Sequence, residues 1–249
     1  MANQPPFAIL ATPVPLPPIK STTETSTFNF FGTVDDALPL RASKFLAKYS
    51  DGAAKEIESA IATFICITQN DCVGNAEEKN ACWFTIRVTK PHDEFEVPRW
   101  HQDGPMYRYD DGRKDVVRSK YAITLLGPST LMLIPSEHTF ATERESYERF
   151  HKQATPGSSP PPYADWDEAD MALREWLEKE FKDEPRVEAR HDQVIRFTWG
   201  RDNSPLHSEP DLVCDRAFMS VLYGSETEIR EMCKIREAEF GVYDVDEED

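Results

Sequence analysis

Residues 99–104 read Arg-Trp-His-Gln-Asp-Gly, and this stretch decides how the rest of the sequence is interpreted. It comes directly after an extended run at 95–98. In a β-strand, residues i and i+2 point to the same face, so His101 and Asp103 are predicted to aim at one point while Gln102 points away. An imidazole and a carboxylate are two of the three protein ligands that a non-haem iron site of the facial-triad type requires. A third ligand and a β-barrel to hold it would complete such a site.

The sequence around this stretch predicts a fold built mainly from short β-strands. Apolar and polar residues alternate in the clearest strand, where Phe84, Ile86 and Val88 are separated by polar residues. The predicted strands are 82–89, 95–101, 121–126, 130–134, 186–189, 194–199 and 214–223. About eight short strands with helices before, after and once among them are typical of a double-sheet jelly roll, so we predict a mainly β fold with flanking helices and a double-stranded β-helix, cupin-like core.

Helical periodicity predicts four helices at 38–49, 53–69, 165–181 and 227–240. The apolar positions of 53–69 recur every three or four residues, so this helix is expected to lie against one face of a sheet. Residues 137–185 interrupt the β pattern and are predicted to be a helical insertion that covers one end of the β core.

Composition divides the chain into three parts. Residues 1–27 are rich in Pro, Thr and Ser and are expected to form an extended arm over the surface. Residues 28–241 are expected to form a single oxygenase-like domain, and 242–249 an acidic tail. The first 18 residues have no basic region and are interrupted by prolines, so we do not expect a signal peptide.

Charge and cysteine usage narrow the class of partners. The 249-residue chain has a formal net charge of -17 and a pI near 4.8, which argues against a nucleic-acid surface because phosphates repel acidic proteins. No apolar run approaches the roughly 20 residues needed to span a bilayer, so no membrane partner is expected. Five cysteines without C-x-x-C spacing indicate neither a disulfide framework nor a zinc finger. We therefore expect a cytoplasmic protein, and the sequence leaves its oligomeric state open.

A second histidine and an arginine follow in the order that completes the iron site. His207 comes after the strand predicted at 194–199, and Arg216 lies nine residues further on, leading into the apolar segment 217–222. His101-x-Asp103, His207 and Arg216 in this order resemble the Fe(II)/2-oxoglutarate-dependent oxygenase superfamily, which is built on a double-stranded β-helix. The resemblance covers roughly residues 82–224, although only four or five residues carry it.

The resemblance implies a set of roles for these residues. His101, Asp103 and His207 would bind Fe(II), and Arg216 would pair bidentately with the distal carboxylate of 2-oxoglutarate. Tyr121 is a candidate contact of the same co-substrate, with packing in the aromatic core as its alternative role. The implied activity couples decarboxylation of 2-oxoglutarate by O2 to oxidation of a substrate, which we expect to be a small molecule held between the 104–118 loop and the 137–185 insertion.

Several other interpretations of the same residues remain open. His191 is a rival third ligand because it also precedes a strand, with Arg201 ten residues later. We prefer His207, because His191 lies where a turn leads into the strand and would aim from its wrong end. His101 could instead be a loop histidine bonded to Asp103, and Arg216 could pair with a neighbouring acidic residue at the surface.

Two alternative functions also fit the sequence. The first is an iron oxygenase that uses O2 without 2-oxoglutarate, with Arg216 binding the carboxylate of the substrate itself. The second is a cupin-like binding or interaction protein without catalytic activity.

Overall fold

A computed structural model of the chain describes residues 4–103, 118–150, 166–199 and 203–241. The strands are β1 (Phe7–Ile9), β2 (Ser26–Thr33), β3 (Ala81–Thr89), β4 (Ser119–Leu126), β5 (Leu131–Met132), β6 (Ile195–Thr198), β7 (His207–Ser208) and β8 (Arg216–Gly224). The helices are α1 (Ala37–Lys48), α2 (Ala54–Asp71), α3 (Glu137–Phe150), α4 (Trp166–Glu180) and α5 (Glu226–Phe240). The acidic tail predicted at 242–249 lies outside the described residues.

A large antiparallel sheet lies at the centre of the fold. Its six strands are ordered β1-β6-β4-β8-β3-β2, so strands far apart in sequence are neighbours. β8 lies between β3 and β4, and its residues are almost all buried on both faces. The central antiparallel sheet with flanking helices agrees with the mainly β architecture expected from the sequence.

One face of the sheet is covered by α1 and α2. The buried residues of α2 recur at helical spacing and include Ile57, Ile61 and Phe64, none of which is exposed to solvent. The ring of Phe64 packs edge to face on Phe84 of β3, with 6.4 Å between ring centroids. The sequence-based expectation that this helix lies against a sheet is confirmed.

A second, smaller sheet faces the other side of the large one. β5 pairs with β7, and two isolated bridges extend this pair, one between His101 and His207 and one between Leu133 and Arg186. From β3 onward the chain alternates between the two sheets: β3, His101, β4, β5, then β6, β7 and β8. A cavity lies between the sheets, because residues of both line it.

Two helices hold this arrangement together. α4, from the segment predicted to be an insertion, packs Leu177 against Trp100 behind the small sheet, together with Phe181, which directly follows the helix. At the other end, α5 begins with a capping box formed by Ser225 and Glu228 and packs against the large sheet.

Three sequence-based predictions about the backbone are wrong. Residues 186–189, predicted as a strand, contribute an isolated bridge from Arg186 to Leu133 and no strand. Residues 95–101 do not form a strand. The N–H of Glu96 donates to the carbonyl oxygen of Asp93 in a turn, and Pro98 has no N–H to donate. The bridge between His101 and His207 is the pairing that this segment makes with either sheet. The N-terminal segment is also more than a surface arm. Its strand β1 pairs with β6, and Val14 is fully buried in the core.

No helix within the described ranges is both long and apolar enough to cross a membrane.

The contact between α2 and the large sheet makes a prediction about stability. Replacement of Phe64 by Ala should lower the free energy of unfolding by about 3–5 kcal/mol, because it leaves a cavity in the closed core. Cys66→Ala, at an exposed position of the same helix, is the matched control and should change stability by less than about 0.5 kcal/mol. Urea unfolding followed by circular dichroism measures both, and equal effects of the two substitutions would contradict this packing.

Candidate metal centre

Three side chains predicted as metal ligands come together in the structure. One ligand atom from each of His101, Asp103 and His207 lies within 4.8 Å of the others. Nε2 of His207 lies 3.6 Å from Oδ2 of Asp103. Asp103 and His207 are buried, and His101 is partly exposed. Residues separated by a hundred positions in the chain therefore converge on one point.

The backbone places the two histidines opposite each other. His101 and His207 form an antiparallel bridge in which each N–H donates to the carbonyl oxygen of the other, at 3.0 and 2.9 Å. Directly opposed residues of an antiparallel pair present their side chains on the same face. The two imidazole rings accordingly lie side by side, with 4.4 Å between their centroids.

Each imidazole is oriented by a hydrogen bond from its other ring nitrogen. Nδ1 of His101 lies 2.8 Å from the carbonyl oxygen of Arg99, and Nδ1 of His207 lies 3.2 Å from that of Pro205. A carbonyl oxygen only accepts hydrogen bonds, so both rings carry the proton on Nδ1. The lone pair of each Nε2 is therefore available to a metal ion, in the arrangement that metal-binding histidines commonly show.

The charge states of the three groups suit a divalent cation. Burial and the neighbouring His207 lower the pKa of His101 to about 3, and burial also lowers the pKa of His207. Burial by itself would raise the pKa of Asp103, but Lys120 and the two imidazoles outweigh it and hold this pKa below its ordinary value. At neutral pH the centre thus offers two neutral imidazoles and one carboxylate.

The triad lines a cavity of about 500 Å³ between the two sheets. The large sheet contributes alternate residues of β3, β4, β6 and β8, and the small sheet contributes Met132 and His207. The charged lining residues among those described are Arg87, Arg99, Asp103, Lys120, Glu209, Arg216 and Arg236. The volume is that of a site for small molecules.

Arg216 lies at the start of β8 and is buried in the wall of this cavity, with 4% of its surface exposed. Its Nε donates to the carbonyl oxygen of Pro128 at 3.0 Å, and its Nη2 donates to Oγ1 of Thr130 at 2.9 Å. Burial lowers the pKa of Arg216 to about 10, so the guanidinium remains charged at neutral pH. Neither of these hydrogen-bond partners is anionic. The nearby carboxylate of Glu209 favours the charged guanidinium, but its own hydrogen bonds go to Arg99, so Arg216 can still pair with an anionic ligand of the cavity.

The turn before Thr130 explains this placement. Gly127 has a φ of +79°, and a Cβ there would collide with the carbonyl of Asp215. Only glycine fits this conformation without strain. The Gly127-Pro128 turn therefore places the carbonyl oxygen of Pro128 and the hydroxyl of Thr130 against Arg216.

The acidic residues suggested as surface partners of Arg216 are paired with other cations. Asp215 lies 2.7 Å from Nζ of Lys90. Glu209 accepts two hydrogen bonds from Nη2 of Arg99, at 3.1 and 3.2 Å, and lies 3.6 Å from Arg87. Arg216 is therefore not an ordinary surface arginine.

Tyr121 does not reach the cavity, which corrects the prediction that it contacts a co-substrate. Side chains alternate along β4, so Lys120 and Ala122 face the cavity and Tyr121 faces the helices. There its hydroxyl donates to Oδ2 of Asp71 at 3.0 Å, and Arg196 donates to the same oxygen at 3.1 Å. Tyr121 is fully buried in the core.

Lys120 is the residue that sequence reasoning missed. Its Nζ lies 2.7 Å from Oδ2 of Asp103 and 5.3 Å from the ring centroid of Trp199. The sequence carries only a weak signal for it. Lys120 is a charged residue within the apolar strand 119–126, one position before the tyrosine that was predicted to contact the co-substrate. Side chains alternate along a strand, so the pairing of β4 with its neighbours decides whether residue 120 or residue 121 faces the site.

The rival histidines lie elsewhere. His191 is exposed in the turn before β6, and Arg201 lies outside the described residues. His92 is placed near Glu94, 3.9 Å away, and not at the triad. Within the described ranges, His101, Asp103 and His207 are the group arranged to hold a metal ion.

Comparison with known proteins gives weak structural similarity only. No family model and no curated protein matches the sequence. Among solved structures, the chain is similar to a prolyl hydroxylase from Trichoplax adhaerens, in complex with a hypoxia inducible factor oxygen degradation domain peptide fragment. The two are 10% identical over 85% of this chain and 68% of that chain, with a TM-score of 0.34. At these values the assignment of function rests on the geometry of the site.

Burial of His207 predicts how stability depends on pH. Its pKa in the folded protein lies below the value of about 6.5 in an unfolded chain, so acidification protonates the unfolded state first and stability is lost as the pH falls below that value. Between pH 7.5 and 5.5 the burial of this histidine should therefore lower the free energy of unfolding.

Urea unfolding at the two pH values, in the presence of a chelator, measures this effect. His207→Gln should lose less stability than the unmodified protein over the same interval, because glutamine does not take up a proton. An identical loss in both proteins would show that His207 is not held neutral by the fold.

Proposed function

We propose that this protein is a non-haem Fe(II)-dependent oxygenase that couples decarboxylation of 2-oxoglutarate to oxidation of a small-molecule substrate. The observation that carries the proposal is the convergence of His101, Asp103 and His207 at a cavity whose wall also holds the buried cation of Arg216. The alternation of strands between two facing sheets supports the corresponding fold, a double-stranded β-helix.

Iron fits the donor set of the candidate centre. Two neutral imidazoles and one carboxylate leave a divalent iron with positive charge and with positions open to other ligands, which is the arrangement of non-haem Fe(II) oxygenases. A structural zinc site would instead be closed by four protein ligands. His101, Asp103 and His207 are the residues that hold the metal, and the metal when bound supplies the redox chemistry with O2.

The surroundings of Arg216 fit the distal carboxylate of the co-substrate. Its guanidinium is fixed by Pro128 and Thr130 and lies 4.6 Å from the ring centroid of Phe218, so its orientation is set before a ligand binds. A planar guanidinium pairs bidentately with a carboxylate. Thr130 already contacts Arg216, and its hydroxyl is placed to contact the same carboxylate.

Burial strengthens the interactions of the co-substrate with the metal centre and with Arg216. The charges of the centre and of Arg216 lie between two sheets, where their interactions with a dianion are screened less than at the surface. The protein's own contribution to the reaction is to bind the metal and the two substrates side by side and to limit the access of water.

The proposal predicts a spectroscopic signature. Fe(II) and 2-oxoglutarate, added without oxygen, should give the weak visible charge-transfer band of the chelated complex. His207→Ala should abolish the band because it removes one metal ligand, whereas His191→Ala, at the exposed rival histidine, should leave it intact. A band that survives His207→Ala would overturn the proposed triad.

A second variant separates the alternative functions. Arg216→Gln should weaken 2-oxoglutarate binding by about tenfold or more, since it removes a charge-assisted pair, while binding of Mn²⁺ alone is unchanged. Metal binding without the band in the unmodified protein would favour an oxygenase that does not use 2-oxoglutarate. Absence of metal binding would favour a binding protein without catalytic activity.

A further inference from the structure

The ammonium of Lys120 lies against the candidate metal centre. Its Nζ donates to Oδ2 of Asp103 at 2.7 Å, and this is the carboxylate oxygen that lies 3.6 Å from Nε2 of His207. Burial lowers the pKa of His207, and the charge of Lys120 lowers it further, so the ammonium acts on the imidazole as well as on the carboxylate. A positive charge therefore lies next to two of the three candidate ligands.

The position of this ammonium is fixed by more than its contact with Asp103. Lys120 is a residue of β4 whose backbone pairs with Phe197 of β6 on one side and with Leu222 of β8 on the other. The ammonium lies 5.3 Å from the ring centroid of Trp199 and 5.8 Å from that of Phe197, which are cation–π distances. The side chain is 17% exposed. The charge is therefore expected to stay beside the centre when Asp103 binds a metal ion.

The charge of Lys120 sets it apart from an ordinary hydrogen-bond partner of a metal ligand. Groups that hydrogen-bond to metal ligands commonly orient them, and their removal weakens metal binding. Lys120 also donates to its ligand, Asp103, but its positive charge repels a metal cation. Burial leaves this repulsion less screened than it would be at the surface.

We propose that Lys120 sets the charge of the metal centre, so that it weakens binding of the metal cation and strengthens binding of anionic ligands to the bound metal. The two charges of a divalent metal, the negative charge of Asp103 and the positive charge of Lys120 leave two net positive charges, and without Lys120 one remains. An anion is attracted more strongly by the larger charge. This inference rests on the proposed function for the identity of the anion, 2-oxoglutarate, but the effect on the metal does not require it.

The two effects have opposite signs, and this separates a role of charge from a role of packing. A residue that merely held Asp103 in position would, on removal, weaken binding of the metal and with it binding of the ligands of the metal. Removal of a positive charge instead strengthens the first and weakens the second. Arg216 differs again, because its replacement is expected to affect 2-oxoglutarate alone.

Isothermal titration calorimetry on the full-length protein tests this inference. Mn²⁺ is titrated into the metal-free protein, and 2-oxoglutarate is titrated, without oxygen, into the protein saturated with Mn²⁺. Lys120→Met removes the charge and keeps a side chain of similar length between the rings. It should tighten Mn²⁺ binding about tenfold and weaken 2-oxoglutarate binding about tenfold. Lys120→Gln, which keeps an N–H donor but no charge, should change both affinities in the same directions.

Two further variants serve as controls. Lys120→Arg keeps the positive charge and should leave both affinities within about threefold of those of the unmodified protein. Lys55→Met removes the same charge from an exposed position of α2, on the opposite side of the large sheet, and should leave both affinities unchanged. Circular dichroism checks that each variant is folded.

The outcomes separate this inference from the proposed function. Weaker Mn²⁺ binding in both Lys120→Met and Lys120→Gln would show that Lys120 only positions Asp103, and would overturn the inference. Unchanged affinities, a change in only one of the two when both ligands bind, or equal shifts in Lys55→Met would overturn it as well. Tighter Mn²⁺ binding in the two uncharged variants of a protein that does not bind 2-oxoglutarate would support the effect of Lys120 on the metal and reject the proposed function.

Discussion

The candidate site depends on one backbone interaction, the reciprocal pair of hydrogen bonds between His101 and His207. These two bonds join a segment without regular structure to a strand of two residues. Within the described residues, the pairing between them does not extend into a longer ladder. If the pair slipped by one residue, His101 and Asp103 would lie on the opposite face from His207. The register of this bridge is therefore what converts two distant histidines into one centre.

Packing around the bridge compensates for its small size. Trp100, next to His101, points away from the cavity and meets Phe181 edge to face, while Leu133 and Leu206 fill the same cluster. On the cavity side, the ring of Phe197 lies 5.0 Å from that of His207. The small sheet is thus held between a helix on its outer side and the large sheet on its inner side, and the histidines are fixed without a long ladder of strands.

The sequence predicted the large features of the fold because they repeat along the chain. The apolar spacing of α2 and the alternation in β3 extend over many residues, and the structure places both elements within two residues of the predicted bounds. The triad was predicted from the order of His101, Asp103, His207 and Arg216 along the chain, and the structure brings the three candidate ligands together.

The details that escaped prediction depend on single residues. Tyr121 and Lys120 are adjacent in a strand whose parity is set by its partners β6 and β8, so the sequence alone does not tell which one faces the cavity. The pairing of His101 is one bridge, too short to produce a periodic pattern. Arg236 enters the cavity from a helix more than a hundred residues away from Lys120, and only the packing of α5 brings the two to the same cavity.

The most direct test of the central claim is the position of a bound metal. Crystals of the protein soaked with Mn²⁺, as a redox-stable substitute for Fe(II), would give an anomalous difference peak at that position. The geometry of the site predicts a single strong peak in contact with Nε2 of His101, Nε2 of His207 and a carboxylate oxygen of Asp103. A peak at any other group of residues, with these three side chains unligated, would contradict it.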